Sequence, residues 1–399
     1  MKECFALVAQ MHPAYNFRGG TANLIKTMCS YPSHPFCSVV SADHTGPNPV
    51  PGPWDSIPTL SLFRPRSLFP NLRLGLGLLD NIAFRLQKNR VARFLKKQGV
   101  KRQLALITNN TRFALLVDNL PPSIPRDLYI IDDPVADSSL YRMNEEKAQQ
   151  TMDRLVRESD RIFAISPVYA SDLETRYGRP CEFLPIPVSD ALLESARQDS
   201  SQEKSSPDGA ITIHHSGQIH HLYADAIANI ISFLKKIAEK KKIKINLELW
   251  GNINGKDLEK SLGIALQQEE ASNFKIKLCG EVSPVELSKE QKRADFLLLV
   301  NSFLPKMEKQ IRCSFSSKSC EYMVSGVPII VYGPSYSGPA VYLDKHKAAH
   351  VITTTDFEEA LRQIEQVICD PGRKTIVETA KKLALNRHSS EAFFKRLAF

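Results

Sequence analysis

Short apolar runs alternate along this chain with longer stretches of helical periodicity, and that alternation predicts an α/β protein. In the first half, residues 4–8, 35–42, 103–108, 127–131 and 161–166 read as strands, and residues 21–28, 76–97 and 145–158 as helices. In the second half, strands are expected over 210–214, 245–250, 275–279, 295–300 and 329–331. Helices are expected there over 223–238, 284–293 and 357–369, with one or two more from 374 to 399. Many of these runs are apolar throughout, the pattern of strands buried on both faces of a parallel sheet. Between the two series lies SARQDSSQEKSSPDG, ending at Gly209, which is polar enough to read as an exposed connection.

At 399 residues the chain exceeds one ordinary core, so two domains are expected. With 43% hydrophobic and 24% charged residues the composition is that of a water-soluble globular protein. No apolar run approaches the roughly 18 residues that span a bilayer, and the start MKECFALVAQMHP turns polar too soon for a secretory signal. A cytoplasmic location is therefore expected. The eight cysteines include no C-x-x-C pair and read as small core residues in a reducing compartment.

The net charge of +9 is local. Residues 64–102 hold eleven basic side chains and one acid, Asp80. Within this window Leu78, Leu79, Ile82, Phe84, Leu86, Val91, Phe94 and Leu95 recur at near-helical spacing, with arginines and lysines on the remaining faces. Two readings stay open: an ordinary helix with a solvated basic face, and a surface helix that docks on anionic lipid headgroups. No aromatic and basic recognition motif accompanies the charge, so nucleic acid is not an expected partner.

The most informative stretch is FSSKSCEYMVSGVPIIVYG, residues 315–333. Ser316, Ser317 and Lys318 lead into a helix, Gly326 can close it in the left-handed conformation, and Pro328 cannot continue it. A helix start beside a lysine suits a phosphate, although simple capping by serine is the plainer reading. The pattern S-K-x-x-E-Y-M-x-S-G-x-P-I-I resembles the donor-binding segment of nucleotide-sugar-dependent glycosyltransferases of the GT-B fold, particularly the large retaining family 4 and its bacterial relatives. The resemblance implies two Rossmann-like, doubly wound parallel-sheet domains facing across a cleft. It implies that Glu321 holds the ribose of a donor nucleotide and that the backbone near Ser316, Ser317 and Lys318 meets its diphosphate. Where that family commonly has a second, sugar-contacting glutamate, eight residues before Glu321, this chain has Cys313.

Further elements fit the same pattern. Arg18-Gly19-Gly20 lies between the first strand and first helix, where the family's Gly-Gly loop faces the cleft. The strand from 210 leads to Ser216-Gly217, followed by Gln218 where the family often has a diphosphate-neutralising Arg or Lys. Arg312 and Lys318 are then the candidates for that charge. His214, His215, His220 and His221 surround this turn but lack a completing acid or cysteine, so no metal site is expected. Asp132 and Asp133 end a strand where ligands bind in open α/β sheets; either would suit deprotonation of an acceptor hydroxyl, and capping of the next turn is the commoner role.

The expected layout is an acceptor-binding domain over 1–189, a polar linker over 190–209, a nucleotide-sugar-binding domain over 210–372, and C-terminal helices over 373–399 that return to the first domain. The expected activity is metal-independent sugar transfer to a glycan or lipid-linked acceptor in bacterial surface polysaccharide synthesis, with no cofactor and with peripheral contact to the membrane's inner face through residues 64–102. A GT-B nucleotide-sugar 2-epimerase and a non-catalytic membrane-binding degenerate transferase are the alternatives. A dinucleotide-dependent oxidoreductase is disfavoured because G-x-G-x-x-G is absent.

Overall fold

The computed structural model describes residues 4–14, 20–43, 51–62, 76–136, 138, 144–197, 209–217, 219, 222–251, 273–369 and 373–398. Its contacts divide the chain into two units, Met1–Pro187 with Ser390–Phe399, and Val188–Ser389.

The first unit is built on β1 (Phe5–Met11), β2 (Phe36–Asp43), β3 (Thr59–Ser61), β4 (Arg102–Ile107), β5 (Arg126–Ile130), β6 (Arg161–Ala164) and β7 (Glu182–Phe183). They form one parallel sheet in the order β3-β2-β1-β4-β5-β6-β7. Its helices are α1 (Gly20–Ser30), α2 (Leu76–Lys97), α3 (Thr111–Asp118), α4 (Glu145–Glu158) and α5 (Pro167–Tyr177). Local chemistry sets their ends. Ser166 caps α5 through Tyr169 N–H, Pro167 follows where no amide is required, and Gly178 closes it at φ 62°. Parallel strands need crossovers, and these helices supply them.

Three features depart from the sequence reading. Cys4 and Cys37, read as small core residues, form a disulfide with Cα atoms 5.5 Å apart. They meet because Phe5 and Phe36, one residue away in each case, are register partners on neighbouring strands. Arg102, counted with the basic face, turns inward at the start of β4. There Asp127, fully buried, accepts from Arg102 at 2.7 Å and from Arg161 at 2.6 Å, and Asp160 adds a 3.0 Å contact to Arg102. The edge strand β3 lies where the sequence reading places no element.

The chain's last helix completes this unit. Helix α14 (Ser390–Leu397) buries Phe393, Phe394 and Leu397. Phe394 stacks on Tyr31 at 5.2 Å, Phe393 lies 6.0 Å from the Tyr129 ring, and Arg161 Nη2 donates to the Leu397 carbonyl at 2.7 Å.

The second unit carries β8 (Ile211–Ser216), β9 (Ile245–Trp250), β10 (Phe274–Gly280), β11 (Phe296–Val300), β12 (Ile329–Tyr332) and β13 (His350–Ile352), all parallel in the order β10-β9-β8-β11-β12-β13. Among its helices are α6 (Asp190–Arg197), α7 (Ala224–Lys241), α8 (Pro284–Arg293), α9 (Glu308–Cys313), α10 (Ser317–Val324), α11 (Gly338–Lys345), α12 (Phe357–Cys369) and α13 (Arg373–Arg387). Ile227, Ile230, Ile231 and Leu234 of α7 recur at helical spacing and join Leu247, Phe296 and Ile330 of the sheet in one buried cluster. The stretch 190–209, read as polar connection, begins instead with α6. That helix buries Leu193 and Ala196 and packs on α10, and Lys292 donates to Ser195 Oγ at 2.6 Å. Helix α13 also packs on α10, within the second unit.

The Asp127 cluster gives a direct test of the first sheet. Asp127→Ala leaves two inward-facing guanidinium groups without their shared carboxylate, and a loss of roughly 3 to 5 kcal/mol in urea-unfolding stability is expected. A loss below ~1 kcal/mol, the range of exposed ion pairs, rejects that arrangement.

Candidate functional site

The second sheet's carboxyl edge is shaped by glycines. Gly217, Gly251 and Gly280 follow or end β8, β9 and β10, at φ 131°, 140° and 74°. Neighbouring turns are joined by Gly217 N–H to the Trp250 carbonyl at 2.9 Å and Gly251 N–H to the Gly280 carbonyl at 2.8 Å. A Cβ on Gly251 would stand 2.8 Å from the Gly217 carbonyl oxygen, so the two turns approach as closely as glycine allows.

Helix α10 is fastened to this edge by one side chain. Tyr322, wholly buried, accepts the Ser216 N–H at 2.9 Å and pairs with Ser216 Oγ at 2.9 Å. Gln291 Nε2 donates to the same Oγ at 3.4 Å. Burial holds the phenol well above its ordinary titration range, so Tyr322 remains a neutral hydrogen-bonding group.

At the helix start Ser316 is the N-cap, its Oγ accepting Lys318 N–H at 3.3 Å. One turn further in, Lys318 Nζ lies 2.7 Å from Glu321 Oε2, both side chains about one-fifth exposed. Gly326 takes φ 80° and ends the helix as expected. Arg312, the other candidate cation, lies 3.9 Å from Glu308 and over the Tyr336 ring at 5.8 Å. Cys313 is buried, and its Sγ donates to the Lys309 carbonyl at 3.0 Å. Ser316, Ser317, Lys318, Glu321 and Gly217 therefore belong to one sheet edge.

The histidines weighed in the sequence only as metal ligands or turn residues include two that lie in β8 itself. His214 and His215 are buried; His214 stacks on Trp250 at 5.8 Å and meets Tyr322 edge-on at 6.5 Å. Neither ring nitrogen of His214 has a hydrogen-bond partner among the described residues. Burial, with repulsion from His215 and Lys318, lowers its pKa from 6.5 to about 3. His215 Nδ1 donates to the Leu298 carbonyl at 2.9 Å, which fixes its tautomer, and burial again lowers its pKa. Both imidazoles are neutral at physiological pH. His220, His221 and Gln218 lie outside the described residues.

In the first unit the acid pair at the end of β5 divides. Asp133 is a turn cap: its Oδ1 accepts Val135 N–H at 2.9 Å, and its Oδ2 accepts from Arg176 at 2.8 Å. Asp132 is half-buried, and its carbonyl accepts the Tyr169 hydroxyl at 3.4 Å. Gly20 is the first residue of α1, while Arg18 and Gly19 lie outside the described residues. Among the described residues no group of three or more His, Cys, Asp or Glu is arranged to hold a metal ion, and no helix is long and apolar enough to cross a membrane.

No family model matches the chain, and no curated protein matches it. Solved structures do. Sucrose-phosphate synthase from Thermosynechococcus elongatus is 12% identical, matching 99% of this chain and 97% of its own with a TM-score of 0.67. HepE of Anabaena, solved with UDP and glucose, is 14% identical over 99% of this chain and 98% of its own, TM-score 0.64. A UDP-forming α,α-trehalose-phosphate synthase from Burkholderia vietnamiensis is 11% identical over 100% and 98%, TM-score 0.65. At such identities the likeness is one of fold, and the chain has the GT-B fold.

The buried histidines give a pH signature. Unfolded, each titrates near 6.5; folded, His214 stays neutral to about pH 3. Over that window the unfolded chain binds more protons, so stability falls as pH drops through 6.5 and levels off near 3. His214→Phe removes one titrating group, and its stability should depend less steeply on pH, by up to ~1.4 kcal/mol per pH unit. Parallel curves for wild type and variant, from denaturant unfolding across the window, reject the buried neutral state.

Proposed function

We propose that this protein is a glycosyltransferase that moves a sugar from a nucleotide-sugar donor, held on the second unit, to an acceptor hydroxyl. The observation that carries this reading is the start of α10, where Lys318 pairs with Glu321 on a helix that Tyr322 fastens to Ser216, the residue before the Gly217 turn. Neighbouring structures support it, since HepE was solved with UDP and with UDP-glucose. In this reading Glu321 accepts hydrogen bonds from the ribose hydroxyls. The amides around Ser316 and Ser317, with Lys318 and Arg312, stabilise negative charge growing on the departing nucleoside diphosphate.

Positive side chains and amides supply that stabilisation without a metal. As the bond from the sugar's anomeric carbon to the diphosphate oxygen breaks, the acceptor oxygen bonds to that carbon and gives up its proton. We assign that proton to the Asp132–Asp133 pair that follows β5, where Asp133 also caps its turn and meets Arg176. A glycan or lipid-linked acceptor of surface polysaccharide assembly is the class we favour.

One observation favours membrane contact. On α2, Ile82 is 47% and Leu86 77% exposed, and exposed Arg85, Arg90, Arg93 and Lys97 continue the same helical stripe. Apolar side chains beside a row of cations suit an anionic lipid surface.

Two tests follow from this reading. In a thermal-shift screen against UDP, GDP and their sugar conjugates, one nucleotide series should stabilise the wild type, by ~2.7 kcal/mol at a hundredfold excess over its dissociation constant. Glu321→Ala should abolish the shift; a folded wild type that responds to no nucleotide rejects the transferase reading. Separately, sedimentation with vesicles rich in anionic phospholipid should capture the wild type. Arg90→Glu and Leu86→Glu should each weaken capture by about fivefold or more, at ~1 kcal/mol per lost surface charge. Equal capture of neutral and anionic vesicles overturns the lipid reading.

A further inference from the structure

The chain passes between the two contact units at Pro187 to Val188 and at Ser389 to Ser390. On the second unit's side these crossings are joined, since Val188 N–H donates to the His388 carbonyl at 2.7 Å. The His388 side chain is wholly buried and reaches two helices. Its Nδ1 lies 3.3 Å from Cys320 Sγ on α10, and its Nε2 lies 2.9 Å from the Tyr342 hydroxyl on α11. Its ring meets Tyr342 edge-on at 5.5 Å.

Either neutral tautomer satisfies both contacts. If Nδ1–H donates to sulfur, Nε2 accepts from the phenol; if the thiol donates to Nδ1, Nε2–H donates to the phenol oxygen. Burial holds the Cys320 thiol well above its ordinary pKa, so the sulfur is a packed, protonated partner and not a nucleophile. Cys320 directly precedes Glu321 and lies two residues after Lys318, so whatever seats Cys320 also seats the pair at the helix start. Tyr322 fixes α10 to the sheet from one side, and His388 holds it from the chain crossing.

We propose that His388 is a positioning residue: through Cys320 it sets the seating of α10, and with it the nucleotide-binding geometry of Lys318 and Glu321, while its carbonyl holds the crossing segment at Val188. The binding part of this inference rests on the nucleotide-sugar reading; the seating of α10 does not.

Two substitutions separate the contacts. Asparagine places an amide near the Nδ1 position and retains the link to Cys320; glutamine reaches the Nε2 position and retains only Tyr342. In nucleotide-free protein, His388→Gln should speed amide exchange across 317–324, measured by mass spectrometry, while His388→Asn leaves that segment protected. By calorimetry with UDP and GDP, His388→Gln and Cys320→Ala should each bind about tenfold more weakly than wild type, the effect of one buried hydrogen bond. His388→Asn and Tyr342→Phe should remain within about twofold. Equal exchange in the two His388 variants overturns the proposal, as does a drop in melting temperature with exchange and affinity unchanged. Should the wild type bind neither nucleotide, the transferase reading fails and the exchange contrast alone decides the role of His388.

Discussion

A parallel strand cannot be joined to its neighbour by a hairpin, and this one constraint organises both sheets. Every connection must leave a carboxyl edge, cross a face and return, so helix starts and turns crowd where strands end. In the second sheet that crowding is severe enough to require glycine: Gly251 has no room for a side chain against the Gly217 carbonyl. The start of α10 reaches the same edge because β11 must be connected to β12 by a helix. The candidate site is thus a place where the topology has already concentrated backbone amides and short turns, and to which the sequence adds Lys318 and Glu321.

Fastening such an edge takes polar groups into an apolar interior. Tyr322 succeeds because both functions of Ser216 meet its hydroxyl. His214 enters on different terms: it gives up its charge and stacks on Trp250. The first sheet carries full charge inside at Asp127, and does so with two arginines on one carboxylate. These are three ways of meeting the same desolvation cost: pairing, neutralisation and ionic compensation.

The strands most readily read from the sequence are those buried on both faces, because their residues are apolar without interruption. Runs such as LLLV before Asn301 and IIVY after Pro328 admit little else. Edge strands β3 and β13 have one neighbour each, run for only three residues, and carry polar or half-exposed positions, so no period marks them. Helix α3 is buried on nearly every face and shows no amphipathic stripe to detect. In the candidate site, Lys318 and Glu321 were legible because they lie within one contiguous motif. The partnerships that hold them were not, because Ser216 lies 106 residues from Tyr322 and Cys320 lies 68 from His388. At Asp133 the sequence left two roles open, chemistry and capping of the next turn, and only the folded chain shows the turn amides and Arg176 around it.

The first unit is made from two separate segments, Met1–Pro187 and Ser390–Phe399, with the whole second unit between them in sequence. A ribosome releases residues in order, so the hydrophobic seat for Phe393, Phe394 and Leu397 stands open while Val188–Ser389 is being synthesised. Tyr31, Phe36 and Tyr129, which those phenylalanines cover, wait exposed through that interval. The nascent chain therefore has a window of vulnerability set by the length of its own insert, which closes only once Ser390–Leu397 has emerged.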